Sequence, residues 1–405
     1  MNLIPRPTYL NFLKTWKDKS VIKVVSGVRR CGKSTLFILF QNYLRKNGIK
    51  SENIIQMNFE QPEFMNITDS TEVYNYLKPK LTVSGMKYIF LDEIQHITHF
   101  EKIADALNTL ADVDLYITGS NGYFMSGELA TLLTGRFVEL KMLPLSFKEY
   151  VTGYQEFYPN SNLSTAKMFN NYLRFGSFPF ILQLNNEPLQ IEQYLDGIFT
   201  SVVYRDVQTR LKVSDHLALE KIIRFLFDNV GNILSMRKIA NTISNDGFKI
   251  SPATVERYIS ALVDSLLIYR VPRFDIHGRD QLRTNEKYYI VDPGLRYHLI
   301  AGTKMDRGHV LENIIYLELL RRGEQVNVGA LPKGEVDFVT KKGQEVCYYQ
   351  VSESVIDPKT LTRELKPLQG IDDHYPKYLL TLDEIGAGEN YQGIKQLNIL
   401  DWLLS

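Results

Sequence analysis

Along the first 150 positions, apolar residues fall in short runs separated by stretches of helical spacing. Val21–Val25, Ile54–Phe59, Lys87–Leu91, Leu115–Thr118 and Phe137–Leu140 read as strands. Leu36–Leu44, Thr71–Leu81, Phe100–Leu110 and Met125–Leu133 read as helices between and after them. Alternation of this kind predicts a parallel sheet with helices on both faces, and it places ligand chemistry at the carboxyl ends of the strands.

The pattern changes after that point. Tyr150–Ser164 is polar and aromatic, contains Gly153 and Pro159, and reads as a linker. Ile191–Leu211 reads as one or two helices. Leu219–Phe227 and Ser235–Ile243 read as two more, and a third starts at Ser251 as N-cap with Pro252 in its first position. That third helix places Val255, Ile259, Leu262, Val263, Leu266 and Leu267 on one face and Arg257, Tyr258 and Ser260 on the other. A strand begins at Ile268-Tyr269-Arg270-Val271, so residues 217–275 have the layout of a separate winged-helix unit. Farther on, Tyr288–Val291 is a strand ending in the Asp292-Pro293-Gly294 turn. Gly308–Leu320 is a helix carrying Glu312, Gly334–Val339 a strand carrying Asp337, and Glu345–Ser352 a strand. Gly386–Gly393 is a loop, and Leu397–Leu404 a closing strand and helix.

The first strand runs into Gly27-Val28-Arg29-Arg30-Cys31-Gly32-Lys33-Ser34-Thr35, which fits the phosphate-binding loop G-x-x-x-x-G-K-[ST] between a strand and a helix. Each part has a use. Glycines let successive N–H groups point at one phosphate, and the helix adds its positive N-terminal end. Lys33 reaches the β- and γ-phosphates, and the Ser34 hydroxyl is a Mg²⁺ ligand. A mobile lysine on an exposed loop contributes little to stability.

The strand Tyr88–Leu91 ends in Asp92-Glu93, a Walker B arrangement, with Asp92 in the Mg²⁺ shell and Glu93 polarising the attacking water. Ser120 and Asn121, in Thr118-Gly119-Ser120-Asn121, lie at a third strand end within reach of the γ-phosphate or the water; a tight turn also needs Gly and Asn there. Arg136 is a candidate arginine finger, supplied in trans if subunits form a ring, and equally a surface arginine.

A helical acid, an Asp and an acid-x-Lys strand form the metal constellation of restriction-endonuclease-like folds. Glu312 and Asp337 match it. Gln350 stands for the last acid and Ser352 for the lysine, so the constellation is degenerate: glutamine remains an oxygen ligand, but serine supplies no cation.

Composition narrows the field. The chain has 405 residues, 44% hydrophobic and 23% charged, which suits two to four soluble globular domains. Net charge is +1, so no global field draws it to nucleic acid. Residues 1–50 nevertheless hold eleven Lys/Arg against one acid, Asp18, as suits a phosphate-handling face. Two cysteines, Cys31 and Cys347, exclude a disulfide framework and fit a reducing cytoplasm. The N-terminus lacks an apolar signal core and no run of 18 apolar residues appears, so no membrane association is expected.

Taken with Leu143-Pro144-Leu145-Ser146-Phe147 and Gly135-Arg136, these motifs resemble the AAA-type core of a large group of prokaryotic P-loop ATPases that carry a C-terminal domain of unknown function. The resemblance runs nearly the full chain. It implies ATP rather than GTP, and no guanine-reading Asn-Lys-x-Asp is found. It also implies that Gly176 and Pro179, in Gly176-Ser177-Phe178-Pro179, open a helical lid, although the usual second glycine is Ser177.

The expected fold is therefore α/β. Residues 1–150 form the AAA-type ATP-binding core and 151–215 a helical lid and linker. Residues 216–278 form the winged helix and 279–405 a degenerate restriction-endonuclease-like domain. The expected activity is Mg²⁺-dependent ATP hydrolysis coupled to remodelling of a partner, with a slow nucleotide switch and an ATP-gated nuclease as rivals. Candidate partners are double-stranded DNA, a protein and a second copy of the chain. DNA contact is expected from Arg270, Arg273, Arg279, Arg283 and Lys287 near the wing.

Overall fold

The computed structural model describes residues 3–120, 135–208, 216–245, 247–278, 280–300, 306–332 and 334–405. It divides into two compact units, residues 1–144 with 264–266, and residues 145–263 with 267–405.

The first unit runs α1 (Pro7–Trp16), β1 (Ile22–Ser26), α2 (Lys33–Lys46), β2 (Ile54–Asn58), α3 (Ser70–Leu77), β3 (Lys87–Asp92), α4 (Phe100–Asn108), β4 (Val113–Gly119) and β5 (Phe137–Lys141). Among the described residues its sheet has the order β2-β3-β4-β1-β5, with every pairing parallel. The central strands β1, β3 and β4 are buried on both faces, as the middle of a parallel sheet requires. Ile89 and Leu91 of β3 face a core shared with Val73 and Leu77 of α3 and Ile103 and Leu107 of α4. Phe90, between them, points the other way. Its ring centroid lies 5.0 Å from that of Phe37 on α2 and 4.9 Å from that of Tyr116 on β4. Each such side chain withdraws enough apolar surface to contribute about 1.5–3 kcal/mol, so the sandwich is fixed from both sides. Ser26 pairs with Gly119, and Asn58 with Asp92, so the carboxyl ends of the central strands form one edge.

The expected helix over Thr71–Leu81 is shorter. It stops at Leu77, with Lys78 as its C-cap, because Pro79 has no N–H with which to continue the helix. The expected helix Met125–Leu133 lies outside the described residues.

The second unit begins with α5 (Phe147–Phe157), α6 (Thr165–Phe175) and α7 (Pro188–Thr200), the last followed by a π-helical stretch, Ser201–Gln208. The linker expected over Tyr150–Ser164 is half helix. Ser146 and Glu149 form a capping box, the Ser146 hydroxyl accepting from Glu149 N and the Glu149 carboxylate from Ser146 N. Next come α8 (His216–Asp228), α9 (Met236–Asn245) and α10 (Pro252–Asp264). Tyr258, expected on the outer face of α10, is buried with Val255, Ile259 and Leu262.

The remaining elements are β6 (Ile268–Asp275), β7 (Asp280–Ile290), α11 (Pro293–Leu299), α12 (Arg307–Arg321), β8 (Gln325–Ala330), β9 (Glu335–Lys342), β10 (Glu345–Val351), α13 (Pro358–Gln369), β11 (Lys377–Thr381), β12 (Asn390–Tyr391), β13 (Ile394–Asn398) and α14 (Ile399–Leu404). Among the described residues the strands form one mixed sheet, β12-β13-β11-β10-β9-β8-β6-β7. The strand that starts at Ile268 therefore does not belong to a separate unit ending at residue 275. β6 pairs antiparallel with β7 and parallel with β8, so the hairpin is continuous with the C-terminal sheet.

Gly176 and Ser177 close α6 against the start of α11. The Ser177 amide and hydroxyl both donate to Asp292 Oδ2 at 2.6 Å, and Asp292 Oδ1 accepts from Leu295 N at 2.9 Å. A Cβ at Gly176 would run into the Asp292 carboxylate. The hydroxyl bond is the one that Ser177, the departure from the glycine expected at this turn, adds.

Candidate active site

The carboxyl edge of the first sheet collects the motif residues. β1 ends at Ser26, the chain loops through residues 27–32, and α2 starts at Lys33 behind Gly32, which caps it in the left-handed region at φ 105°. Gly27 is needed for space. A Cβ there would meet the Met142 carbonyl and the Cys31 Sγ. Val28 and Cys31 are buried, so their side chains anchor the loop while its backbone forms the cradle. Arg30 is exposed. Arg29 turns to Glu60, 3.0 Å away.

Lys33 is only 4% exposed, which corrects the expectation of a solvated loop lysine. Its ammonium donates to Gly27 O at 3.0 Å, Val28 O at 3.4 Å and Ser120 Oγ at 3.2 Å, and lies 3.4 Å from Glu93 Oε1. Burial opposes its charge, but Glu93, Cys31 and Asp92 outweigh burial and raise its pKa.

The neighbouring carboxyls are pushed in opposite directions. Burial holds Asp92 above the usual carboxylate range despite hydrogen bonds from Thr118 and Ser34. Burial also acts on Glu93, but Lys33, Ser120 and Gln95 prevail and hold it below that range. Glu93 Oε2 accepts from the Ser120 hydroxyl and, at 2.5 Å, from Gln95 Nε2. Its backbone is left-handed, φ 56°, and its amide donates to Thr118 Oγ1 at 2.9 Å.

The Ser34 hydroxyl and the Asp92 carboxylate share a hydrogen bond, so two oxygen ligands of the kind Mg²⁺ takes are already adjacent. The donor set therefore fits that ion, with phosphate and water completing the shell. Asn58 Nδ2 donates to Asp92 Oδ2 at 3.1 Å and fixes the carboxylate from the next strand.

Three supporting side chains escaped the sequence reading. Arg6 is buried and donates to Cys31 O at 3.1 Å and Leu143 O at 2.7 Å, tying the loop to the segment after β5. Asn58 and Glu60 stand at the end of β2, where the strand-end rule that located Asp92 would have found them. Glu60 is held down to about 2 by His96 first and then by Arg29, against the opposing effect of burial. Of the remaining expected site residues, Arg136 is 53% exposed and paired with Asp105 of its own chain, and Asn121 lies outside the described residues.

A second cluster lies in the second unit. Glu312 of α12, Asp337 of β9, and Gln350 and Ser352 around the end of β10 line a cleft of about 530 Å³. Lys287 of β7, expected to touch DNA, is 2% exposed and points into this cluster. Its Nζ lies 2.7 Å from Glu312 Oε1, 2.9 Å from Glu335 Oε1 and 3.8 Å from Asp337 Oδ1. Tyr289, two residues on and on the same face of the strand, donates to Glu312 Oε1. Asp337 Oδ2 accepts from Val351 N at 2.9 Å. Arg270, also assigned to DNA, is paired with Glu256 at 2.7 Å and Glu286 at 3.3 Å. Two of the five expected phosphate contacts are thus engaged within the fold. Arg279 and the Arg283 side chain lie outside the described residues.

The AAA domain family matches residues 19–151, and a domain of unknown function (DUF8612) matches residues 166–306. An uncharacterized protein of Haemophilus influenzae is 40% identical over 408 residues, 99% of each chain. The uncharacterized protein MJ1544 of Methanocaldococcus jannaschii is 32% identical over 344 residues, 81% of this chain and 74% of that one. The chain belongs to this family of AAA-domain proteins. Among solved structures, the Walker-type ATPase PABY2304 of Pyrococcus abyssi superposes with a TM-score of 0.53. That likeness covers 73% of this chain and 95% of the other at 14% identity, and it is one of fold. Among the described residues no helix is long and apolar enough to cross a membrane.

Proposed function

We propose that this family member binds and hydrolyses ATP with Mg²⁺ and uses the nucleotide cycle to act on a partner. The observation that carries the reading is the convergence of Lys33, Ser34, Asp92 and Glu93 at the carboxyl edge of one parallel sheet. In this reading the amides of residues 27–34 and the N-terminus of α2 hold the phosphates. Lys33 exchanges its loop carbonyls for phosphate oxygens, and Ser34 and Asp92 hold the metal. When bound, Mg²⁺ neutralises charge developing on the phosphates. Glu93 orients and polarises the water, while Ser120 and Gln95 fix the direction of its carboxylate. Arg136, paired with Asp105, is given no part in this chemistry.

A second reading, a slow nucleotide switch, draws support from Glu93 itself. A carboxylate tied to Lys33, Ser120 and Gln95 and held below its usual pKa is a weak base. Turnover near the rate of free ATP favours the switch, and rapid phosphate release favours the working ATPase. The test is phosphate release by the full chain, compared with Lys33→Ala and Glu93→Gln. Parent-level hydrolysis in both variants would end the assignment.

We read residues 151–215 as the lid and linker and 216–278 as a winged helix. Residues 279–405 are read as a degenerate restriction-endonuclease-like module whose β6–β7 hairpin it shares with the winged helix. The internal pairing of Arg270 and Lys287 favours a protein partner over DNA at the wing.

A further inference from the structure

Three carboxylates in the second unit converge on one point. Glu312 arrives from α12, and Glu335 and Asp337, two residues apart, arrive from one face of β9. Oxygens converging from separate elements are what a divalent cation needs. The point is occupied by an ammonium. Lys287 Nζ is within 3 Å of Glu312 Oε1 and Glu335 Oε1, and its side chain is 2% exposed.

Other groups hold the arrangement in place. The Tyr289 hydroxyl takes the same Glu312 oxygen as Lys287. The Val351 amide takes Asp337 Oδ2. The Gln350 amide group is spent on Glu364 Oε2 at 2.9 Å and on Asp337 N at 3.4 Å. Among the described residues no group of three or more His, Cys, Asp or Glu side chains is placed to hold a metal ion. As placed, these carboxylates do not fit a metal, and the Lys287 ammonium stands between their oxygens. A second cation would compete for the same oxygens and meet an unscreened like charge.

We propose that Lys287 is the permanent, covalently tethered counter-cation of the Glu312–Glu335–Asp337 cluster, that it closes the cluster to divalent ions, and that removing it converts the cluster into a divalent-cation site. An ordinary buried ion pair would also explain why Lys287 is buried, but it does not predict that a free ion can take the ammonium's place.

The test uses the full chain without nucleotide and Mn²⁺ as the probe. Bound ions are counted by the loss of the free-Mn²⁺ paramagnetic resonance signal, and stability is followed by thermal unfolding. Lys287→Ala is purified with Mn²⁺ throughout. It is expected to bind one Mn²⁺ more per chain than the parent, and to recover with Mn²⁺ the melting temperature it loses in chelator. Adding Asp337→Asn removes the extra ion. Glu312→Gln, made with Lys287 retained, is expected to bind the parent's number of ions. The proposal is overturned if Glu312→Gln binds fewer ions than the parent, because the parent cluster would then already hold metal. It is also overturned if Lys287→Ala gains no ion, or stays unfolded with Mn²⁺ present. Because ions bound at Ser34 and Asp92 enter parent and variants alike, failure here is separable from failure of the nucleotide reading.

Discussion

Lys33 and Lys287 are both buried against carboxylates, and both have a raised pKa because those carboxylates outweigh the opposing effect of burial. What differs is the support of each ammonium. Lys33 stands at the junction of a glycine loop and a helix. It spends its donors on two loop carbonyls and a hydroxyl, and its ion pair with Glu93 is long, 3.4 Å. Phosphate oxygens can replace the carbonyls and the hydroxyl at little cost, because a bond from the ammonium to an anion replaces one to a neutral oxygen. Lys287 stands near the end of a strand that pairs with β6, at 2.7 and 2.9 Å from two carboxylates, with Tyr289 bracing the same oxygen. Replacing those partners would expose unpaired charges in a buried site. A lysine among acids is therefore not a signature of catalysis by itself. The distinction lies in whether its partners can be exchanged for substrate.

The sharpest way to break this comparison is Glu93→Gln. If Lys33 and Glu93 form a working pair, the variant keeps ATP binding and hydrolyses at least ~10²-fold more slowly, the usual scale for a general base. Phosphate release at the parent rate would make the Lys33–Glu93 pair as structural as Lys287–Glu312.

Lys33→Ala comes next. Hydrogen bonds to charged groups contribute about 1.5–3 kcal/mol each, so ATP affinity should fall roughly 10- to 10²-fold. Titration with a fluorescent ATP analogue measures it. Unchanged affinity would mean that the loop amides alone hold the phosphates and that the exchange of partners does not occur.

A smaller effect belongs to Arg6, which braces the phosphate loop. Arg6→Ala leaves the carbonyls of Cys31 and Leu143 without their donor. The expected loss is about 1–3 kcal/mol, read from denaturant unfolding, with weaker ATP binding as the loop loosens. An unchanged midpoint together with unchanged affinity would show that the loop holds its shape without this brace.

These sites differ in how well the sequence displays them. Gly27–Ser34 and Asp92-Glu93 are contiguous, and each follows an apolar run, so local pattern and strand-end chemistry point the same way. Arg6 is not legible, because its partner Leu143 lies 137 residues away and nothing near Arg6 marks it as buried. Lys287 looked like one more basic residue among the wing arginines. Only the pairing of β7 with β6, of β6 with β8 and of β8 with β9 brings it to Glu312 and Asp337. Helix α5 was missed for a different reason. Its aromatic, polar surface reads as a linker, although Ser146-x-x-Glu149 marks its start. The continuity of β6 with the C-terminal sheet was not legible either, because strand continuity across a hairpin is a property of sheet pairing and leaves no local trace.

The smallest effect tests whether the loop's own arginine is tuned by its surroundings as Lys33 is. Glu60 sits between Arg29 of the phosphate loop and His96 after β3, and it also acts on Glu93 by charge. Its pKa is lowered from 4.5 to about 2. A carboxyl with a folded-state pKa below its unfolded value contributes stability that is fully present above pH 4.5 or so. That contribution is lost as pH falls toward 2. Because Glu60 is 44% exposed, solvent screens the pairing, and the contribution is about 0.2–1 kcal/mol. Glu60→Gln should therefore melt roughly 1–3 °C below the parent at pH 7. The gap should persist to about pH 5 and narrow as pH falls toward 3, where the parent carboxylate begins to lose its advantage over the neutral amide. Thermal unfolding of both chains across that pH series measures the gap. A gap that stays constant down to pH 3 would mean that Arg29 and His96 are not what holds the Glu60 carboxylate in its charged form. The phosphate loop would then be braced by Arg6 and the glycine geometry alone.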